Sequence, residues 1–245
     1  RSTEEAVRHG IEMSEAGADI IDVGGESTRP GSLPVSARDE IARVVPVIRE
    51  LSQKTDALLS IDTTKAIVAR EAVAAGACMI NDTSALSDDP EMPGFAAESG
   101  CAVVLMHRRG TPASMQVSPS YESLFDELLD ELAGRVDAAV AAGVPLERIL
   151  VDPGVGFGKR TMDNLALHRH LPELRNLGRP VVFGASRKSF IGEVTGKGPE
   201  GRIFGTAASV AVSALLGSDI LRVHDLPAMR EVMRVATAIR EGAEC

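Results

Sequence analysis

Seven short apolar runs, spaced by longer segments, constrain the fold of this 245-residue chain more than any other feature. The runs cover residues 19–23, 57–61, 78–80, 101–106, 149–151, 180–183 and 220–223. Most do not alternate between apolar and polar residues, which is typical of parallel strands covered on both faces. Between them lie helical segments, over residues 3–16, 39–51, 121–142 and 226–239. This alternation predicts βα units around a parallel sheet, with a kink at Pro46 in the second helix.

The length suits a single (β/α)₈ barrel, which takes about 250 residues. No linker divides the chain, so we expect one domain over residues 1–245. A closed barrel of this class has eight strands, one more than the sequence provides. We therefore expect the first strand and its loop to precede Arg1, outside the given chain. A seven-stranded, doubly wound open sheet is the alternative, but it would leave edge strands to be covered.

Charge and cysteine content limit the partners and the compartment. The net charge of −9 argues against a nucleic-acid surface, although a few basic residues in one cleft can still bind a small anion. No apolar run reaches the roughly 18 residues of a membrane span. Cys78, Cys101 and Cys245 are widely spaced and odd in number. This favours buried free thiols in a reducing cytoplasm over a disulfide or a metal site.

Polar residues follow nearly every predicted strand, where (β/α)₈ barrels carry their chemistry. They are the loop 24–31, Asp62-Thr63, Asn81-Asp82, His107-Arg108-Arg109, the loop 152–159, the loop 184–189, and Arg222 with His224. Taken singly, Asp62 and Asn81 suit helix N-caps, Arg222 suits a surface ion pair and His224 suits a structural role. Because several strand ends bring carboxylates and cations to one mouth, we favour an active site.

The glycine-rich segment 154–158 does not fit the nucleotide-binding motifs. Its spacing is G-x-G-x-G, not G-x-G-x-x-G, and Lys159 is not followed by Ser or Thr as in a P-loop. Neither H-E-x-x-H nor paired C-x-x-C occurs, and Ser186 lacks the context of a nucleophile elbow. The favoured chemistry is electrostatic binding of an anion by the cations after the last two strands. Arg29, on a Gly/Ser/Pro-rich loop, is placed to fold over from the side.

Seven motifs together resemble those of the dihydropteroate synthase family, in the family's order and over about residues 3 to 240. They are Glu26-Ser27-Thr28-Arg29-Pro30-Gly31, Ser60-Ile61-Asp62-Thr63, Ile80-Asn81-Asp82, Leu105-Met106-His107, Asp152-Pro153-Gly154-Val155-Gly156-Phe157-Gly158-Lys159, Ser186-Arg187-Lys188-Ser189 and Arg222-Val223-His224-Asp225. The resemblance implies a TIM (β/α)₈ barrel and a transferase of folate biosynthesis, the target class of sulfonamides. Such an enzyme joins p-aminobenzoate to 6-hydroxymethyl-7,8-dihydropterin diphosphate and releases pyrophosphate.

The resemblance also implies site residues. The family's pterin-binding positions correspond to Asp62, Asn81, Asp152 and Lys188. Its pyrophosphate positions correspond to Arg29, Arg222 and His224, and its p-aminobenzoate positions to Thr28, Pro30, Phe157, Lys188 and Ser189. Among these, the catalytic set is Asp62, Lys188, Arg222 and His224. The family further implies a homodimer and Mg²⁺. The usual Asn ligand of that ion belongs to the first strand, so no metal ligand is expected in this chain.

These roles fit the residue types. A pterin presents an amino group and a ring N–H side by side, so a carboxylate such as Asp152 can accept from both, and Asn81 can donate and accept. Loss of pyrophosphate leaves a cation at the pterin methylene, which Asp62 can stabilise while Arg222 and His224 hold the leaving anion. We therefore hypothesise a dissociative substitution without a covalent enzyme intermediate.

Two other functions stay open. A methyltetrahydrofolate-dependent methyltransferase also binds a pterin on a similar barrel, but it has no pyrophosphate for the loop 186–189, Arg222 and His224 to hold. A catalytically impaired pterin-binding barrel, or a scaffold, is favoured if the first strand is truly missing, and is opposed by the complete polar set. The alanine-rich segment 206–216 suits either a dimer contact or the core.

Overall fold

The computed structural model of the protein describes residues 2–28, 31–111 and 113–242. Helices and strands alternate along these residues, as the sequence predicts. The helices are α1 (Thr3–Glu15), α2 (Ala37–Lys54), α3 (Ala66–Ala74), α4 (Met92–Ser99), α5 (Leu124–Ala141), α6 (Thr161–Arg169), α7 (Leu171–Leu174), α8 (Ser189–Thr195), α9 (Ile203–Leu215) and α10 (Leu226–Glu241). The strands are β1 (Ile20–Gly24), β2 (Leu58–Asp62), β3 (Met79–Asp82), β4 (Ala102–Met106), β5 (Ile149–Asp152), β6 (Val182–Phe183) and β7 (Ile220–Leu221). Each predicted strand and helix is confirmed to within a few residues.

The chain divides into two compact units, residues 1–106 with 132–150 and residues 107–131 with 151–245. The first unit holds strands β1 to β4, which are neighbours in that order in one sheet and pair in parallel. In the second unit, β6 pairs with β7 in parallel, and Val151 forms a bridge with Val181. The prediction of a single domain stays a prediction.

Strands β2 and β4 of the first unit are largely buried, as their continuous apolar sequences predict, whereas β1 buries only Ile21. In β4, residues 103–106 are all buried, and in β2 residues 59–61 are buried. Helix α2 buries Val44, Ile48 and Leu51 along one face, and it continues through Pro46. Each such side chain contributes about 1.5–3 kcal/mol when it leaves water. This core holds the C-terminal ends of β1, β2 and β3 in a fixed register.

The core of the second unit includes a histidine with a structural role. His168 is buried beside Phe183 and Phe190, with ring centroids 4.8 and 5.5 Å away. Its Nδ1 lies 2.8 Å from the carbonyl oxygen of Asn164, and its Nε2 lies 2.6 Å from Oγ of Ser209. Both ring nitrogens therefore have partners, and burial lowers the pKa of His168, which favours the neutral ring.

The cysteines match the prediction only in part. Cys101 is buried, but Cys78 is exposed, and both are free thiols. Cys78 directly precedes β3, where its backbone bonds to Leu59 and Ala102 of the neighbouring strands, and its side chain is exposed at this N-terminal edge of the sheet. Cys245 lies outside the described residues. Within the described part of the chain, no helix combines the length and apolar character that crossing a membrane requires.

Asp82, at the end of β3, is a fully buried carboxyl group in the first unit. Its Oδ1 accepts hydrogen bonds from the backbone N–H and the hydroxyl of Ser84, at 2.7 and 2.6 Å. Its Oδ2 is buried without a hydrogen-bond partner among the residues that the structure describes. Burial raises the pKa of Asp82 to about 6, against the opposing effect of the Ser84 hydrogen bonds.

Burial of the ionised Asp82 carboxylate should lower the free energy of unfolding as the pH rises. Asp82→Asn should remove this pH dependence, because the amide keeps an oxygen for Ser84 and cannot ionise. The pKa of Asp82 is higher in the folded protein than its unfolded value of about 4. The protonated carboxyl group therefore contributes its full stabilisation below about pH 4. That stabilisation is lost as the pH rises through about 6. Between pH 4 and 7.5, the unfolding free energy of the parent should fall by about 2–3 kcal/mol relative to the variant.

Urea unfolding of both proteins at a series of pH values measures this difference. Asp56→Asn, at an exposed aspartate of the same unit, is the matched control and should show no such trend. A difference between parent and Asp82→Asn that stays constant across the pH range would contradict the prediction.

Candidate active site

In the first unit, strand register brings Asp62 and Asn81 together. Asp62 ends β2 and is paired across the sheet with Gly24 on one side and Asn81 on the other. A Cβ atom at Gly24 would lie 3.3 Å from that of Asp62, so the absence of a side chain leaves room for the carboxylate. Two pterin positions implied by the family resemblance are thus adjacent in the structure.

Asp22 is a polar residue of this site that the sequence analysis missed. Its Oδ2 accepts a hydrogen bond of 3.0 Å from Nδ2 of Asn81. This bond directs the amide nitrogen of Asn81 toward Asp22 and fixes which way its carbonyl oxygen faces. The available signal was an aspartate inside the apolar run 19–23, where a charged residue needs a partner.

The loop that follows β1 is held by a network of charged residues in the first unit. Lys65 forms ion pairs with Glu26 of the loop and with the buried Glu40 of α2, the latter at 2.6 Å. Burial opposes the charge on Lys65, but the hydrogen bonds to both glutamates outweigh it and raise its pKa. Arg43 adds a 2.9 Å bond to the carbonyl oxygen of Gly25. Thr28 is half-buried at the end of this segment, and Arg29 and Pro30 lie outside the described residues.

In the second unit, the buried carboxyl group of Asp152 ends β5. Its Oδ1 accepts a 2.7 Å hydrogen bond from the backbone N–H of Gly154. Burial raises the pKa of Asp152, and the charges of Lys188, Arg222 and Lys159 act in the opposite direction. Three cations therefore act on one buried carboxylate.

Lys188 lies across the glycine-rich loop that follows β5. Its Nζ donates to the carbonyl oxygen of Val155 and lies 4.5 Å from the centre of the Phe157 ring. A Cβ atom at Gly156, where φ is +80°, would meet Cδ of Lys188 at 3.0 Å. This cation–π contact joins Lys188 and Phe157, two residues at positions that the family resemblance assigns to p-aminobenzoate.

Arg222 and His224 are both exposed after β7. The backbone N–H of Arg222 donates to the carbonyl oxygen of Phe183 at 3.1 Å, which fixes it beside the end of β6. Ser186 Oγ lies 3.0 Å from Nδ1 of His224 and accepts a 3.2 Å hydrogen bond from the backbone N–H of His224. Ser186 is therefore the residue that orients His224, a role that the sequence analysis did not assign.

The neighbouring Arg187 has a structural role. It adopts a φ of +57° and forms a two-pronged ion pair with Asp225, one contact being 2.8 Å. The backbone N–H of Arg187 donates a 3.1 Å hydrogen bond to the hydroxyl of Thr206. These bonds hold the turn so that Lys188 and Ser189 follow it at the start of α8, with Ser189 exposed.

The segment after β4 supports the glycine-rich loop. Tyr121 donates from its hydroxyl to the carbonyl oxygen of Gly158 at 2.9 Å, and Gln116 donates to that of Gly156 at 2.7 Å. Arg109 stacks on the Tyr121 ring at 4.4 Å and pairs with Glu127 at 2.7 Å. Arg109, one of the polar residues predicted to follow this strand, is thus used in packing.

A magnesium ion does not fit the described residues on their own. Among residues 2–28, 31–111 and 113–242, no group of three or more His, Cys, Asp or Glu side chains is arranged to hold a metal ion.

Comparison with known proteins identifies the family. A family model described as "Pterin binding enzyme" matches residues 1–224. The dihydropteroate synthase of Synechocystis sp. is 44% identical over 235 residues, covering 96% of this chain and 81% of the relative. That of Escherichia coli K12 is 41% identical over 240 residues, covering 98% of this chain and 85% of the relative.

Solved structures agree with the sequence comparison. A Yersinia pestis dihydropteroate synthase in a sulfonamide drug complex matches with a TM-score of 0.95 and 40% identity, covering 99% of this chain and 87% of that one. A Xanthomonas albilineans dihydropteroate synthase with 4-aminobenzoic acid matches with a TM-score of 0.92 and 45% identity, covering 97% and 85%. The predicted fold class, the TIM (β/α)₈ barrel of these enzymes, is confirmed. The chain belongs to the pterin-binding enzymes and, within them, to the dihydropteroate synthases.

Proposed function

We propose that this enzyme condenses p-aminobenzoate with 6-hydroxymethyl-7,8-dihydropterin diphosphate to give 7,8-dihydropteroate and pyrophosphate. The observation that carries the proposal is the buried carboxylate of Asp152, surrounded by the charges of Lys188, Arg222 and Lys159. A site of this kind suits a substrate that combines hydrogen-bond donors with an anionic group. The names of the relatives and the ligands of their solved structures support the same reaction.

The pterin is bound by Asp62, Asn81, Asp152 and Lys188. The carboxylate of Asp152 accepts from the amino group and the adjacent ring N–H of the pterin. Asn81, whose amide nitrogen donates to Asp22, offers its carbonyl oxygen to a further donor. Burial strengthens these hydrogen bonds because water does not compete for them.

The diphosphate is held by Arg222 and His224, with Arg29 as a third basic residue. Ser186 contacts Nδ1 of His224 at 3.0 Å, and this contact fixes the orientation of the ring toward the anion. As the bond from the pterin methylene to the diphosphate breaks, negative charge grows on the leaving oxygen. Cations already in place stabilise that charge in the transition state.

The substitution is dissociative and uses no protein nucleophile. Departure of pyrophosphate leaves a positive charge on the pterin methylene, which the carboxylate of Asp62 stabilises. The amine of p-aminobenzoate then forms the new C–N bond and loses a proton. Thr28, Pro30, Phe157, Lys188 and Ser189 surround the p-aminobenzoate. The contact of Lys188 with the Phe157 ring supports this assignment because it keeps the cation close to a flat aromatic surface.

The assembly and cofactor are part of the proposal. We propose a cytoplasmic homodimer that uses Mg²⁺ and small-molecule substrates, with no nucleic-acid or membrane partner. Exposed apolar residues on α9 and α10 support the dimer, namely Phe204, Val212, Leu215, Val235 and Ile239. Sedimentation velocity of the protein measures its oligomeric state, and turnover with and without a chelator measures the requirement for magnesium.

A pyrophosphate-release assay tests the function. Pyrophosphate should appear together with dihydropteroate, and their formation should require both substrates. A methyltetrahydrofolate-dependent methyltransferase would release no pyrophosphate, and an impaired barrel would bind pterin without turnover. Binding of pterin with no condensation, under conditions that support a related synthase, would contradict the proposal.

Arg222→Ala should separate binding of the diphosphate from binding of the pterin. Loss of one preorganised donor to a developing anion costs roughly 100-fold or more in turnover. At pH 8.5, affinity for 6-hydroxymethylpterin, which has no diphosphate, should change by less than about twofold, because in this proposal Arg222 acts on the pterin site only through its charge on Asp152. Steady-state kinetics and fluorescence titration measure the two effects, with Arg169→Ala, at an exposed arginine of α6, as the control. Equal loss of both would mean that Arg222 has another role.

Asp152→Asn should weaken binding of the pterin itself. An amide cannot accept from two neighbouring donors as a carboxylate does, and hydrogen bonds to charged groups are worth about 1.5–3 kcal/mol. The dissociation constant of 6-hydroxymethylpterin should rise roughly 10- to 150-fold at pH 7.5. Unchanged affinity in a correctly folded variant would remove Asp152 from the pterin site.

A further inference from the structure

Lys159 is a buried lysine in the second unit that contacts neither substrate in the proposed reaction. It is 3% exposed, and its Nζ lies 2.9 Å from Nδ1 of His107 and 3.1 Å from the carbonyl oxygen of Phe157. Taking an ammonium group out of water is costly unless partners compensate it. Its position therefore requires an explanation in terms of what it holds or stabilises.

His107 connects Lys159 to the surface of the second unit. The side chain is 1% exposed, and its Nε2 lies 3.1 Å from Oε2 of Glu131, a glutamate that also pairs with Arg109. Burial lowers the pKa of His107 to about 4, so the ring is neutral near neutral pH. Nδ1 faces the Lys159 amine and accepts from it, which leaves the ring proton on Nε2.

The same residues surround the turn that carries Asp152. The backbone N–H of His107 donates to the carbonyl oxygen of Asp152 at 2.8 Å. A Cβ atom at Gly154, whose φ is +67°, would lie 1.9 Å from the carbonyl oxygen of His107 and 3.5 Å from Nζ of Lys159. The turn from Asp152 to Gly154 is thus packed directly against His107 and the Lys159 amine.

We propose that Lys159, oriented by His107 and Glu131, is a positioning residue whose positive charge keeps the buried carboxyl group of Asp152 ionised for pterin binding. The inference rests on the proposed role of Asp152. It goes beyond that role because Lys159 touches no substrate in the proposed reaction and acts only through the carboxylate.

The charges around the pair define the pH range of the effect. The groups that act on Asp152 are Lys188, Arg222 and Lys159, and those that act on Lys159 are Asp152, Lys188, Glu131 and Asp163, with His107 in contact. Burial lowers the pKa of Lys159 to about 7, although Asp152 opposes that change. Lys159 is therefore charged at acidic pH and largely neutral above about pH 8. Lys159 therefore supports ionisation of the Asp152 carboxyl group only at acidic pH.

Lys159→Met tests the proposal through the pH dependence of pterin affinity. The probe is 6-hydroxymethylpterin, titrated by fluorescence from pH 5.5 to 8.5 against the parent and the variant. The ratio of the two dissociation constants removes any ionisation of the ligand. We expect a ratio of about five at pH 6, because loss of a nearby cation favours protonation of Asp152, and a ratio within about twofold of one at pH 8.5.

A purely structural role for Lys159 gives a different result. If the lysine only held the loop in shape, the variant would bind more weakly by the same factor at every pH. A ratio that stays constant, whether large or near one, would overturn the proposal. Lys197→Met, at an exposed lysine of the same unit, is the matched control and should give a ratio near one throughout. Lys159→Arg keeps the charge and should restore most of the affinity at pH 6.

If Lys159→Met does not fold, Glu131→Gln provides a second test of the proposal. Glu131→Gln changes a side chain that is 41% exposed, so the fold should survive. Glu131 raises the pKa of Lys159, and its loss should leave the lysine less charged at pH 6. The affinity ratio should again be highest at acidic pH, though smaller than for Lys159→Met. A constant ratio would count against the proposal.

Asp152→Asn separates failure of this inference from failure of the proposed function. If Asp152→Asn binds pterin as well as the parent does, the proposed role of Asp152 is wrong and the role of Lys159 falls with it. If Asp152→Asn loses affinity at all pH values while Lys159→Met gives a constant ratio, Asp152 keeps its role and only Lys159 is misassigned.

Discussion

Burial of the Asp152 carboxylate is the constraint on which the second unit depends. A carboxylate out of water is stable only with hydrogen bonds and opposite charges nearby. The N–H of Gly154 provides the hydrogen bond, and the turn that delivers it needs a positive φ and no side chain. Lys188, Arg222 and Lys159 provide the charges. The glycine-rich loop and the cations thus follow from one buried group.

The first unit solves a different problem, which is to hold polar side chains in register. Pairing of β2 with β3 sets Asp62 beside Asn81, and the bond from Asn81 to Asp22 fixes the direction of the amide. Backbone ladders and a buried apolar core do this without any flexible element. The loop after β1 depends on ion pairs instead, through Lys65 and two glutamates. The paired strands thus hold Asp62 and Asn81 in place before a ligand binds, as precise binding requires.

Local sequence predicted the elements well, because strands buried on both faces leave continuous apolar runs and helices leave periodic ones. It also predicted which strand ends are polar, since that depends only on position along the chain. It did not reveal the contact of Ser186 with His224, which joins residues 38 positions apart, or the role of Asp22. Such partners depend on tertiary packing. Cys78 was misjudged because apolar neighbours do not show which end of a strand meets solvent.

The hydrogen bond from Tyr121 to the loop has a practical consequence. The chain contains one tyrosine and no tryptophan, so its intrinsic near-ultraviolet emission comes from this single phenol. The hydroxyl donates to Gly158, and burial raises the pKa of Tyr121 to about 12. Opening of the glycine-rich loop would break this bond and change the emission. The protein therefore contains a built-in optical reporter on the loop beside Asp152, without any added label.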